Sequence, residues 1–176
     1  MPMRCFKVGI IALVAVVGLQ ACNNLRPLYG TNGIEGDSSV VTELSNVDIP
    51  LPKNRLQQLI RNNLISAMSP PGREGDGRYT LVVVPDSDEF DLVIERNTDV
   101  SRRSYRLKVA YSLKDSSSGR KLVSGNTFSE VSYDKITSEF ANLQAKTNAE
   151  ERAAQQVSQD IRTRLAAYFA TRSPSS

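Results

Sequence analysis

The strictest constraint on how this chain can fold is the run Tyr105, Leu107, Val109, Tyr111 and Leu113, which alternates with Arg106, Lys108, Ala110, Ser112 and Lys114. Successive strand side chains point to opposite faces, so this segment must bury one face and wet the other. Such a strand needs a sheet with one apolar face and a second layer to cover it. Other strands are at hand. Tyr79 to Val84 is one, ended or bulged by Pro85; Phe90 to Glu95 resumes the pattern with Phe90, Leu92 and Ile94 on one face. The two can be halves of one long, interrupted strand. Asp115 to Gly119 reads as a hairpin turn, and Lys121 to Tyr133 as the last strand, with Gly125 the candidate for a bulge. Upstream, Val40 to Ile49 reads as a first strand, with Val41, Glu43, Ser45, Val47 and Ile49 on one side and Pro50-Leu51-Pro52 ending it.

The covering layer comes from two amphipathic stretches. In Lys53 to Met68, residues Leu56, Leu59, Ile60, Leu64 and Met68 recur at three- and four-residue steps, which is one stripe of a helix. Ser69-Pro70-Pro71-Gly72 stops it. The glycines of Gly72 to Gly77 neither follow a strand nor open a helix, so a mobile connection is expected there and not a phosphate cradle. From Ser138 to Thr171 a second helix is expected. Phe140 and Leu143 begin its apolar face, and Ala154, Val157, Ile161, Leu165, Tyr168 and Phe169 continue it. Asn148 with Glu151 has the form of a capping box, which would break and restart the helix. A coiled coil competes, but the seam lapses at Glu150 and Arg164. The fold class expected is α+β: two layers, with two helices packed on one face of a mostly antiparallel sheet of about four strands, in the order β-α-β-β-β-α.

The N-terminus has a separate logic. Arg4 and Lys7 precede an unbroken apolar run from Val8 to Leu19, closed by Gln20-Ala21-Cys22. A basic start, a short apolar body and a small residue form a secretory signal, and the run falls short of the roughly 20 residues of a membrane span. The closing Cys22 resembles the lipobox of bacterial lipoproteins, in which the thiol takes a diacylglycerol and the cysteine becomes the new N-terminus. Gln20 stands where that pattern has a small residue. The resulting division is 1–21 signal peptide, 22–39 lipidated tether, 40–172 α+β domain and 173–176 disordered tail. Within the tether, Arg26, Pro27, Leu28 and Tyr29 combine apolar side chains with a stiff proline. They either dock on the domain, a partner or the membrane, or form a sticky linker.

Composition narrows the chemistry. Removing Arg4 and Lys7 with the signal leaves 20 Lys+Arg against 19 Asp+Glu. A nucleic-acid partner would call for a basic excess, so none is expected. The chain has no His, and its two cysteines are Cys5, in the signal, and Cys22. The commonest general base and metal ligand are therefore missing, and no free thiol nucleophile remains after lipidation. Ser116-Ser117-Ser118 near Lys121 reads as a turn and not as a Ser/Lys pair. The expectation is no enzyme activity, no cofactor and no metal site.

Cys22 followed so closely by Arg26-Pro27-Leu28-Tyr29-Gly30 resembles the start of the LptE family of lipopolysaccharide-assembly lipoproteins in its alphaproteobacterial form. The Tyr/Arg-rich strand and the closing segment Ala149-Glu150-Glu151-Arg152-Ala153-Ala154 add to the resemblance. It implies a lipoprotein component and plug of the outer-membrane β-barrel translocon (LptD-type) that delivers lipopolysaccharide to the cell surface. Such a protein supports barrel assembly and is held by lipidated Cys22 to the inner leaflet, on the periplasmic side. Asn23 after the cysteine fits that sorting. Lipopolysaccharide carries phosphates, and Arg102, Arg103, Arg106 and Lys108 cluster in a loop and on the wet face of the next strand, while Arg120 and Lys121 flank its far turn. They are candidate phosphate contacts, with solvated surface charges as the plainer reading. The alternative function is an envelope lipoprotein that binds a different protein or a small ligand, for example a secretion-system pilot.

Overall fold

The computed structural model describes residues 35–69, 75–93 and 101–172. In chain order these form α1 (Glu35–Ser45), β1 (Val47–Asp48), α2 (Arg55–Met68), β2 (Tyr79–Val93), β3 (Ser101–Asp115), β4 (Lys121–Lys135) and α3 (Glu139–Arg172). The sheet order is β1-β2-β3-β4, with β1 parallel to β2 and the remaining pairs antiparallel. The expected α+β class of helices on a mostly antiparallel four-stranded sheet holds, with a third helix added. β2, β3 and β4 have 15 residues each, about 50 Å, and the 34 residues of α3 span about 51 Å. One helix therefore runs the full length of the sheet.

The first expected strand is mostly a helix. Val40 and Leu44, four residues apart, pack together into the core from α1, a period that the imperfect alternation of Val40 to Ile49 obscured. Only Val47 and Asp48 pair, with Tyr79 and Thr80. Glu35 to Ser39, assigned to the tether by sequence, are the first turns of α1. The start of the glycine-rich connection lies outside the described residues, but Gly75 is pinned: a β-carbon there would stand 1.7 Å from the Ser45 carbonyl oxygen.

Pro85 neither ends nor bulges β2, which pairs without a break from Tyr79 to Asp91; Ile94 and Glu95 lie outside the described residues. The reason is parity. The Tyr79 N–H donates to the Asn46 carbonyl at 3.1 Å, away from β3. Backbone groups alternate sides along a strand, so odd-numbered residues of β2 face the outer edge. Pro85 is odd, and the N–H it lacks would have pointed outward, the place where a sheet tolerates proline. Gly125 is not a bulge either, since it pairs opposite Tyr111; the register shifts instead between Leu113 and Lys114, so that Leu122 is the extra residue.

The helices cover one face. α2 starts from Asn54, whose side chain accepts the Gln57 N–H at 2.8 Å, and buries Ile60, Leu64 and Met68. α3 is continuous through Asn148, with no break at the expected capping box. Its buried row takes four-residue steps: Ala149, Ala153, Val157, Ile161, Leu165 and Phe169. Carried backward, the steps reach Ala145 and Ala141, both half-buried. Phe140 and Leu143 lie off this row and are 73% and 61% exposed, which corrects their assignment to the apolar face. The helix row begins with small alanines and ends in a large aromatic, Phe169, whose ring packs 5.1 Å from that of Tyr79. Arg55 pairs with Glu150 at 2.9 Å, the Ser158 hydroxyl reaches the Ile60 carbonyl at 3.4 Å, and Arg162 Nε donates to the Ala67 carbonyl at 2.8 Å. These contacts ascend together, so α2 runs in the same direction as α3, beside its middle.

Candidate interaction face of the sheet

Among the described residues the helices leave the opposite face of β2, β3 and β4 bare, and the wet residues of the alternation assemble there into a charge ladder. Arg106 is its centre. Its guanidinium lies 4.5 Å from the Phe90 ring centroid, and its Nε and Nη2 donate to Glu130 Oε2 at 3.1 and 3.0 Å. Asp88 is 3.9 Å away on the other side. The register dictates this, because Arg106 stands opposite both Asp88 and Glu130. Lys108 Nζ reaches Asp88 at 2.9 Å, and Arg102 Nε donates to Asp134 at 3.2 Å. Ser104, fully buried, donates its hydroxyl to Glu130 Oε1 at 2.9 Å. The Ser104 hydroxyl, with Arg106 beside it, holds the Glu130 carboxyl below the usual carboxylate range. Opposite charges paired across strands contribute about 0.2 to 1 kcal/mol each.

Beside the ladder lies an open groove of about 680 Å³ with Val84, Ala110, Asn126 and Phe128 in its walls and Lys108 and Glu130 at its rim. Phe128 is 70% exposed, whereas its neighbours Thr127 and Ser129 are buried under α3. Its volume falls in the range of small-molecule sites, though it lies open along the sheet face.

On the covered face, at the end spanned by the first turns of α3, the Tyr133 hydroxyl donates to Glu89 at 2.7 Å and Lys146 pairs with the same carboxylate. Burial pushes the Glu89 pKa up, but Lys146 and Tyr133 outweigh it and the net shift is downward. Arg103 Nε donates to Asp91 at 2.7 Å, which raises the guanidinium pKa. At the opposite end, the Ser117 and Ser118 hydroxyls and N–H groups converge on Asp115 Oδ1 at 2.6 to 3.1 Å and hold its carboxyl well below the usual range. The serine run is thus a turn.

The structure divides the six candidate cations. Arg102, Arg106 and Lys108 share the bare face, each beside a carboxylate; Arg103 points to the opposite face. Arg102 and Arg103 belong to β3 and not to a loop. Arg120 and Lys121 sit at the far end, with Lys121 directly opposite Lys114. Among the described residues these three have no carboxylate within ion-pair distance. Cys22, Arg26, Pro27, Leu28 and Tyr29 lie outside the described residues. Sequence reading missed Phe128 and the Glu89–Tyr133–Lys146 cluster. An aromatic at a wet position between Asn126 and Glu130 was the available signal for the first, while the second joins residues far apart in the chain and leaves no local pattern.

A family model described as LptE, lipopolysaccharide-assembly, matches residues 44–165. Among solved structures, a candidate lipoprotein from Caulobacter crescentus CB15 is similar at 23% identity and a TM-score of 0.65, over 77% of this chain and 98% of that one. A minor lipoprotein from Acinetobacter baumannii aligns at 17% identity and a TM-score of 0.45, over 69% of this chain and 88% of that one. The rare lipoprotein B from Shewanella oneidensis aligns at 11% identity and a TM-score of 0.48, over 71% and 95%. None of the curated proteins matches the chain.

Proposed function

We propose a role that starts from one premise: the chain belongs to the LptE, lipopolysaccharide-assembly, family. It acts as the lipoprotein component and plug of the outer-membrane β-barrel translocon that assembles lipopolysaccharide, and it performs no catalysis. Residues 1–21 direct export, and Cys22 carries the lipid that holds the protein to the inner leaflet of the outer membrane. Acyl chains contribute about 0.8 kcal/mol per buried methylene, and a second chain makes attachment lasting.

The observation that carries this reading is the family match across the helix-and-sheet body. The charge ladder is in keeping with it: a polar, ion-paired sheet face suits the polar lumen of a barrel, and its cations are already engaged with carboxylates. The candidate phosphate contacts narrow for the same reason. Arg102, Arg103, Arg106 and Lys108 are engaged with carboxylates, whereas Lys114, Arg120 and Lys121 are available to lipopolysaccharide phosphate.

The test is mild-detergent extraction of the full-length protein from envelope membranes, with identification of its co-purifying partner. A large outer-membrane β-barrel is expected, and its absence overturns the reading. Cys22→Ala is expected to lose membrane attachment while the domain melts as before. In a lipopolysaccharide-binding assay, Lys114→Glu with Arg120→Glu should weaken binding, and Arg102→Glu should leave it nearly unchanged.

A further inference from the structure

The sheet has two long outer edges, and the sequence treats them differently. On β2 the outward N–H at mid-strand is removed by Pro85. A proline on an exposed edge discourages the pairing of another strand there. β4 has no proline, and among the described residues no strand lies on its outer side. Parity carries across the register. Even-numbered residues of β2 and β3 bond each other, so odd-numbered residues of β3 and β4 do likewise, as Val109 opposite Thr127 and Leu107 opposite Ser129. Ser124, Asn126, Phe128, Glu130 and Ser132 therefore turn their backbone N–H and C=O groups to the open edge.

We infer that the outer edge of β4 accepts an extended segment of another protein as an additional strand, apolar at its middle and acidic at its ends. Phe128 stands at the centre of β4, equally far from Lys121 and Lys135 at its ends. An apolar side chain set opposite would cover the exposed ring and the groove wall beside it. The carboxylates of β4 do not serve the terminal lysines, because Glu130 is held by Ser104 and Arg106, and Asp134 by Arg102. Among the described residues Lys121 and Lys135 have no carboxylate partner, so acids at the ends of the incoming strand complete them. A second copy fits poorly: two β4 strands centred antiparallel on Phe128 would set Lys121 against Lys135 at both ends. The inference is independent of the barrel assignment, since it follows from the edge alone and concerns a segment and not a whole partner.

The test uses the full chain and a synthetic peptide of the length of β4, with alternating Val and Thr, a central Leu and a Glu at each end. Binding is expected to slow hydrogen exchange at the amides of Ser124, Asn126, Phe128 and Glu130. Asn126→Pro, which removes one outward N–H as Pro85 does on the other edge, should melt like the parent and bind about tenfold more weakly or worse. Should that variant misfold, the pair Lys121→Glu and Lys135→Glu carries the test, by shifting preference to a Lys-ended peptide. No binding by the parent, undiminished binding by well-folded Asn126→Pro, protection along β2 instead, or a dimer in sedimentation closed through β4 would each overturn the inference.

Discussion

Tyr111 lies directly opposite Gly125, and its buried phenol fills the space that a β-carbon at Gly125 would take, with Oη 2.7 Å and Cζ 2.9 Å from that position. Gly125→Ala is therefore expected to destabilise the domain by about 1 to 3 kcal/mol, as overpacking does, in urea melts of the full chain. Adding Tyr111→Phe removes the nearest clashing atom, so the double variant should lose less than the sum of the two single changes.

Glu89 gives the domain a pH-dependent element. Its pKa is depressed in the folded state by Lys146 and Tyr133 acting against burial. A depressed carboxylate contributes stability that is present above its unfolded pKa, about 4.3, and is lost as pH falls through the lower folded value. Glu89→Gln should cost about 1 to 2 kcal/mol at neutral pH. Below about pH 4 the gap between variant and parent should close, as read from melting midpoints across the pH range.

The alanines of α3 set how closely the helix approaches the sheet. Ala149 and Ala153 are fully buried, so Ala153→Leu should destabilise by about 1 to 3 kcal/mol. Leu143→Ala, at a side chain 61% exposed, should change the melting temperature little. Equal effects would contradict the assignment of the buried row.

Pro85 guards the outer edge of β2. Pro85→Thr restores an outward N–H at mid-strand without disturbing the bonds to β3, so the fold should survive while self-association rises with concentration. Light scattering against protein concentration reads this directly.

Much of the architecture was open to reading because it rests on local period. The two-residue alternation around Leu107 and Val109 and the stripe from Leu56 to Met68 each needed only the context of a single strand or a single helix. The failures came where two periods or two edges competed. Val40 and Leu44 fit a helical step as well as half of a strand alternation, and tertiary packing decided for the helix. Phe140 and Leu143 are larger than Ala141 and Ala145, so composition drew attention to the wrong row, although the four-residue step back from Phe169 was written in the chain. Pro85 looked like an end because the direction of its missing N–H depends on a partner strand, which sequence alone does not place. The candidate surface was half visible: Arg106 and Lys108 were recognisable on the wet side, but their carboxylates come from other strands.

The four-residue row of α3 has a consequence for how this protein can vary in length. Deleting one residue near Gln144 would rotate all that precedes it by about 100° relative to the rest, swinging Ala141 out of contact while Lys146, on the far side of the deletion, keeps its place beside Glu89. Starting the helix at Ala141, by contrast, removes only Glu139 and Phe140, whose side chains are exposed. Relatives of this domain should therefore differ freely in where the helix begins and hardly at all in the spacing between Ala145 and Phe169, so that the helix behaves as a ruler whose graduations are fixed and whose blank margin is expendable.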